Sequence, residues 1–145
     1  QLFRVIKIRT MRDRADLDTM VTTARDPRIT TLGRLFRRSK IDELPQLFNI
    51  LRGEMSFVGP RPDVPGYADQ LTGDDREILT LRPGITGPAT LAYRNQESLL
   101  ANQTDTERYN SDVIYPDKVR INRAYMSDWR LRDEIRYIWR TVTGT

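Results

Sequence analysis

Two adjacent carboxylates, Asp42 and Glu43, are the residues of this sequence best placed to do chemistry. They come just before Pro45, and proline is tolerated in a helix only in the first turn. The pair is therefore predicted at or beside a helix N-terminus, where the helix dipole stabilises negative charge by about 0.3–1 kcal/mol. An ionised aspartate there could attack phosphorus and form an acyl-phosphate, and the neighbouring glutamate could hold Mg²⁺ or handle protons. Taken alone, the dipeptide favours simple helix capping.

The residue types that are missing narrow the chemistry. The 145 residues include no histidine and no cysteine. A Ser-His-Asp triad, thiol catalysis, disulfides and zinc-cysteine sites are therefore excluded. Any general acid, base or nucleophile must be an aspartate, glutamate, lysine, tyrosine or serine.

A second candidate is Arg61, which lies between two prolines in Gly59-Pro60-Arg61-Pro62. Prolines restrict the backbone on both sides of the arginine, so its guanidinium is aimed at low entropic cost. That arrangement suits a bidentate contact with phosphate. The alternative is a rigid connector with a solvated arginine.

Lys7 and Arg9 alternate with apolar residues in a predicted strand, Phe3–Arg9, so both side chains are expected on one face. Like charges on one strand face repel each other unless an anion lies between them. Asp42 or the pyrophosphate of a substrate would supply that anion. The alternative is a solvated strand face.

The remaining patterns predict one α+β domain over residues 1–145, mostly helical, with a short β-sheet or hairpin and amphipathic surface helices. One helix is predicted with its apolar face at i, i+3, i+4 and i+7 from Leu44 to Leu51 and its end at Gly53. The other predicted elements are a helical segment at Asp13–Thr23, a short helix capped by Thr31, a strand at Met55–Val58, a helix over residues 66–81, a loop at 82–88, a polar surface excursion at 95–112, and two closing helices.

Charge points to an anionic partner, since 24 basic residues against 20 acidic ones give a net charge of +4. No DNA- or RNA-binding signature accompanies the basic residues, so nucleic acid is not expected as a partner. The last helix carries Leu131, Ile135, Ile138 and Val142 on one face and arginines on another. It is typical either of a helix lying in a membrane interface or of an ordinary surface helix.

Five motifs, in this order, resemble the bacterial sugar transferase family, whose members are monotopic phosphoglycosyl transferases. They are Lys7-Ile8-Arg9-Thr10-Met11, Arg28-Ile29-Thr30 with Gly33, Ser39-Lys40-Ile41-Asp42-Glu43-Leu44-Pro45-Gln46-Leu47, Leu51-Arg52-Gly53-Glu54-Met55-Ser56-Phe57-Val58-Gly59-Pro60-Arg61-Pro62, and Arg82-Pro83-Gly84-Ile85-Thr86-Gly87. The resemblance covers nearly the whole chain. Residues 88–95 depart from the usual continuation of the last motif, which concerns sugar recognition more than the chemistry.

The resemblance implies a reaction in which a membrane polyprenol phosphate receives a sugar-1-phosphate from a nucleotide diphosphate sugar, usually a UDP-sugar. It implies that Asp42 is the nucleophile, that a covalent phosphosugar intermediate forms on it, and that Mg²⁺ lies close to Asp42 and Glu43. By the matched motifs, Lys7, Arg37 and Arg61 are expected to contact phosphate or carboxylate groups.

The resemblance also implies an N-terminal membrane-inserted helix, which we expect to be missing from this segment. The remaining domain is then expected to act at the cytoplasmic face of the bacterial inner membrane and to rest on the lipid surface. The competing interpretation is a non-catalytic module that binds anionic lipid or a partner at the membrane. The trio Asp42, Glu43 and Arg61 favours the enzyme, because a binding module does not need all three together.

Overall fold

The computed structural model of the chain describes residues 3–13, 22–23, 26–62 and 67–144. These residues form seven α-helices and one pair of short strands. The helices are α1 (Thr31–Ser39), α2 (Gln46–Leu51), α3 (Pro88–Ala92), α4 (Gln96–Leu100), α5 (Thr106–Tyr109), α6 (Tyr115–Ser127) and α7 (Leu131–Thr143), and the strands are β1 (Ser56–Val58) and β2 (Gly84–Thr86). The predicted α+β class is confirmed.

The helix α1 begins one residue earlier than the sequence indicated. Thr30, not Thr31, is the N-cap: its backbone is extended, and its hydroxyl accepts a hydrogen bond from the Gly33 amide at 2.9 Å. The helix ends at Lys40, which adopts the left-handed conformation with φ 59°. That reversal of the chain leads directly into a 3₁₀ helix over Ile41–Glu43.

The helix α2 lies with its polar side inward. Gln46 and Asn49 are buried, and Asn49 has no exposed surface. The apolar residues that produced the helical periodicity face outward, and they are Leu44, Leu47, Phe48 and Leu51. The helix itself is confirmed, as is its end at Gly53, which has φ 73°. Its apolar stripe does not belong to the core.

The strands β1 and β2 pair in parallel, with Ser56 opposite Gly84 and Val58 opposite Thr86. The predicted strand at Met55–Val58 is confirmed to within one residue. The predicted loop at 82–88 is wrong in part, because it contains β2. The backbone just after β1 lies very close to the start of β2. A Cβ at Gly84 would lie 2.2 Å from the Gly59 amide nitrogen, so only glycine fits there.

The predicted strand at Phe3–Arg9 is wrong, since residues 3–10 belong to no strand. Their backbone instead forms individual hydrogen bonds with the helical region, including two with the side chain of Asn49. Ladder pairing occurs only just beyond this segment, as an isolated antiparallel bridge between Met11 and Ile29. The basic and β-branched pattern is typical of a strand, but no neighbouring strand pairs with this segment in the described residues.

Two further expectations need correction, and one lies outside the described residues. The helix expected over 66–81 consists of two 3₁₀ helices, Ala68–Gln70 and Gly73–Thr80, because Thr72 is extended and Gly73 has φ 55°. The expected polar surface excursion at 95–112 does lie mostly at the surface, but it contains helices and places Leu100 in the core. Most of the helical segment predicted at Asp13–Thr23 lies outside the described residues.

The helices α6 and α7 close the chain as predicted, but α7 also exposes its apolar face. Trp139 and Val142 are 66% and 79% exposed. The opposite side of α7 packs on the strands, where the hydroxyls of Thr141 and Thr86 lie 2.5 Å apart. No helix in the described part of the chain is long and apolar enough to cross a membrane.

Candidate active site

Asp42 and Glu43 lie in the 3₁₀ helix between α1 and α2, and both are buried. The sequence placed Asp42 at or beside a helix cap, but Pro45 occupies the N-cap position of α2 and no side chain caps that helix. The pair lies one short turn earlier. Simple capping of α2 therefore does not explain the two carboxylates, whose burial needs another reason.

The negative charge of Glu43 is balanced by an ion pair with Arg61. The guanidinium of Arg61 donates from Nη2 to Glu43 Oε1 at 2.5 Å and from Nη1 to Oε2 at 3.4 Å. Burial by itself raises the pKa of Glu43, but the hydrogen bond and charge of Arg61, helped by the charges of Lys40 and Lys7, hold that pKa below its ordinary value. Glu43 is therefore an ionised, firmly held partner for Arg61.

Asp42 has a different environment. Its Oδ1 is buried and accepts no hydrogen bond. A buried carboxylate oxygen without a partner is costly, so it marks a place where a ligand, ion or reacting group is expected. The two neighbouring carboxylates are thus unequal, one satisfied by an arginine and the other left open.

The strand pair places Arg61 at the carboxylates. Gly59 donates to the Thr86 carbonyl at 2.9 Å, and the Gly84 amide donates to the Pro60 carbonyl at 2.8 Å. The chain is thereby fixed up to the residue before Arg61. The rigid Gly-Pro-Arg-Pro segment suggested by the sequence turns its arginine toward Glu43.

Lys7, in the N-terminal segment, lies beside the acid pair. The amide of Ile8 donates to the Asp42 carbonyl at 3.0 Å, which brings Lys7 next to the 3₁₀ helix. The charge of Lys7 contributes to the lowered pKa of Glu43. Lys40 contributes as well, and sequence reasoning missed it, because its left-handed backbone left no signal in the sequence.

Arg9 and Arg37 have other acidic partners. Arg9 forms an exposed ion pair with Asp13 at 2.6 Å. Arg37 donates to the Glu97 carboxylate at 2.7 Å and to the Thr10 hydroxyl at 3.0 Å, so it ties α1 to α4 and to the segment after Arg9. Contact of either arginine with a substrate phosphate stays a prediction.

Asp42 and Glu43 are also the residues that could hold a metal. Carboxylate oxygens are what Mg²⁺ prefers, and the open Oδ1 of Asp42 is such a donor. No group of three or more metal-type side chains occurs among the residues that the structure describes. This donor set fits Mg²⁺ in its usual substrate-assisted mode, where one or two carboxylates act together with phosphate oxygens.

The comparison with known protein families identifies the class of protein to which this fold and acid pair belong. The model of the bacterial sugar transferase family matches residues 1–145, and the chain belongs to this family.

Several curated proteins are similar to the chain. It is 40% identical over 148 residues to an undecaprenyl-phosphate glucose phosphotransferase of Komagataeibacter xylinus, a match that covers 97% of the chain and 26% of that protein. It is 34% identical over 129 residues to a UDP-galactose-lipid carrier transferase of Erwinia amylovora, covering 89% of the chain and 24% of that protein. An exopolysaccharide production protein, ExoY, of Sinorhizobium fredii is 32% identical over 158 residues, covering 98% of the chain and 63% of that protein. The chain spans about a quarter of the length of the first two relatives.

The Glu43–Arg61 pair predicts a pH-dependent stability. Arg61→Met should lower the free energy of unfolding by about 1–3 kcal/mol at neutral pH, because a buried carboxylate loses charged hydrogen bonds. The folded-state pKa of Glu43 lies below its ordinary value, so the pair stabilises the fold above that ordinary value and the contribution is lost as the pH falls through the lowered one. Urea unfolding from pH 7 to pH 3 should show the difference shrinking below about pH 5.

The matched control is Arg52→Met, which changes an exposed arginine just after α2. It should alter stability by less than about 0.5 kcal/mol at every pH. A loss in Arg61→Met that stays constant down to pH 3 would show that the ion pair is not its source.

Proposed function

We propose that the chain is the catalytic unit of a phosphoglycosyl transferase that moves a sugar-1-phosphate from a nucleotide diphosphate sugar to a polyprenol phosphate. The observation that carries this proposal is the unequal acid pair, in which Glu43 is held by Arg61 and Asp42 Oδ1 is buried without a partner. The donor is proposed to be a UDP-sugar, and two relatives have names that include UDP-galactose or UDP-glucose. The names of other relatives include undecaprenyl-phosphate as a substrate.

In the first proposed step, a carboxylate oxygen of Asp42 attacks the phosphorus that carries the sugar. A new oxygen–phosphorus bond forms, the pyrophosphate bond breaks, and its electron pair leaves with the nucleoside monophosphate. In the second step, a phosphate oxygen of the polyprenol phosphate attacks the same phosphorus. The aspartyl–phosphorus bond breaks, which frees Asp42 and yields a polyprenyl diphosphate sugar.

The surrounding charges fit this chemistry. A carboxylate that attacks a pyrophosphate brings negative charges together, so cations must offset the repulsion. The charge of Lys7 acts on Glu43, and Arg61 is kept in place by its ion pair with Glu43. Mg²⁺, held by Asp42 and Glu43 in this proposal, would supply further charge neutralisation at the pyrophosphate when bound.

Asp42→Asn should lower turnover by at least about a thousandfold, because an amide oxygen is a poor nucleophile and cannot carry the phosphosugar. The measurement is nucleoside monophosphate release by the full-length protein in nanodiscs with Mg²⁺, polyprenol phosphate and a panel of UDP-sugars. Asp128→Asn, at an exposed ion pair with Arg130, is the control and should retain full turnover. Full turnover by Asp42→Asn would refute the covalent mechanism.

Turnover is also expected to be lost when Mg²⁺ is removed from the assay, whereas metal-independent turnover would remove Mg²⁺ from the proposal.

The acceptor requires a membrane, and we propose that the protein rests on the cytoplasmic face of the bacterial inner membrane. Two helices support this proposal by exposing apolar faces, namely α2 and α7. On α7 the apolar face is accompanied by arginines at 132, 136 and 140. Apolar side chains beside basic ones are typical of helices that lie in an anionic lipid interface.

Replacing Leu131 and Trp139 together by serine should weaken binding to phosphatidylglycerol vesicles at least about tenfold, because two exposed apolar side chains no longer enter the interface. Co-sedimentation measures the binding. The control replaces Leu79 and Val113, which are apolar and exposed on other elements, and it should bind as wild type does. An equal loss in both double variants would contradict docking through α7.

If vesicle binding persists while no UDP-sugar is turned over, the protein is the non-catalytic membrane module that the sequence left as an alternative. The two experiments above therefore separate the leading function from its competitor.

A further inference from the structure

Asn49 is the most completely buried polar residue in the part of the chain that the structure describes, with no exposed surface. Its side-chain amide makes three hydrogen bonds. Oδ1 accepts from the Ile6 amide at 3.0 Å, and Nδ2 donates to the Arg4 carbonyl at 2.9 Å and to Glu54 Oε2 at 2.6 Å. Two of these bonds join α2 to the N-terminal segment, and the third joins it to Glu54, which follows the end of α2.

The two bonds to the N-terminal segment reproduce strand pairing with a side chain. In a parallel ladder, one residue accepts a hydrogen bond through its carbonyl from an amide of the neighbouring strand, and its own amide donates to the carbonyl two residues earlier on that strand. The Asn49 amide does the same to Ile6 and Arg4, on either side of Val5. In this part of Phe3–Arg9 a side chain therefore takes the place of a neighbouring strand.

These bonds bear on Lys7. The amides on both sides of it are held, Ile6 by Asn49 and Ile8 by the Asp42 carbonyl. The backbone on both sides of Lys7 is therefore fixed beside the acid pair, where the charge of Lys7 acts on Glu43. Without the first anchor, Lys7 would depend on the single bond at Ile8.

Asparagine is the residue that this position requires. A leucine of similar size would leave a buried amide and carbonyl unpaired, and an aspartate would lose the donor and face the Glu54 carboxylate. Glu54 fixes the orientation of the amide by taking its second hydrogen, and it is itself fixed because its backbone amide donates to the Asn49 carbonyl at 2.9 Å. Each polar atom of the Asn49 side chain thus has a defined partner.

We propose that Asn49 is a positioning residue for Lys7: it anchors the segment 4–8 on α2 so that the lysine meets the phosphate groups of the nucleotide diphosphate sugar. The contact between Lys7 and the substrate phosphates rests on the proposed function. The anchoring of segment 4–8 by Asn49 does not, so the anchoring and the proposed function can be tested separately.

The test is a double-mutant cycle in the full-length protein, with Asn49→Ala, Lys7→Met and the combination. Each single change should raise KM for the UDP-sugar or lower kcat, reducing kcat/KM about tenfold or more. Because Asn49 acts through Lys7, the double variant should be no more than about threefold worse than Lys7→Met alone. Multiplied effects in the double variant would overturn the proposal.

A matched control excludes a merely structural effect. Asn110 is also buried, and its amide also bonds two side chains, Gln96 and Tyr67, far along the chain. Asn110→Ala should lose stability as Asn49→Ala does, yet its effect on kcat/KM should be small and should multiply with that of Lys7→Met. If Asn49→Ala and Asn110→Ala lower kcat/KM equally, and both effects multiply with that of Lys7→Met, then Asn49 has only a structural role.

Amide hydrogen exchange tests the anchoring without any activity. Asn49→Ala should speed exchange at Ile6 and Ile8 at least tenfold while α6 keeps its protection, whereas unchanged exchange would refute the anchor. If Asn49→Ala fails to fold, Asn49→Ser replaces it and should also speed exchange at Ile6, because one hydroxyl cannot bond both the Ile6 amide and the Arg4 carbonyl as the asparagine amide does. Faster exchange in a protein that turns over no UDP-sugar would support the anchor and refute the proposed function.

Discussion

The structure depends on the burial of two adjacent carboxylates in one turn of 3₁₀ helix. Removing a charged carboxylate from water costs several kcal/mol unless cations and hydrogen bonds compensate it. For Glu43 the compensation comes from three parts of the chain: Arg61 after β1, Lys7 from the N-terminal segment, and Lys40 at the end of α1. The strand pair, the left-handed turn and the anchored segment each deliver one of these cations. Asp42 Oδ1, by contrast, is buried and accepts no hydrogen bond.

Polar and apolar side chains are distributed to serve this site. In α2 the inward face is polar, so Asn49 can bind the N-terminal segment, and the outward face is leucine-rich. Exposing such a face to water is unfavourable, and a lipid surface would offset that cost. The same division appears in α7, whose inner side bonds β2 through Thr141 and whose outer side carries Trp139. The proposed membrane contact thus lies on helices whose other faces hold the site together.

Sequence reasoning succeeded where the signal is local. Pro45 marked the start of α2, Gly53 marked its end, and the neighbouring Asp42 and Glu43 were recognisable by type. It failed where a partner is distant in the chain. The strand β2 has three residues and exists because of β1, and the Phe3–Arg9 segment pairs with a side chain instead of a strand. The open state of Asp42 was also unpredictable, since it depends on Arg61 bonding Glu43 and not its neighbour.

The central claim is that Asp42 carries the transferred group, and it can be observed directly. The full-length protein is incubated with Mg²⁺ and a UDP-sugar in the absence of polyprenol phosphate, quenched, digested and analysed by peptide mass spectrometry. The account predicts the added mass of one phosphosugar on the peptide that contains Asp42, and its disappearance when polyprenol phosphate is supplied. Attachment to any other residue, or transfer to polyprenol phosphate with no adduct at Asp42, would contradict it.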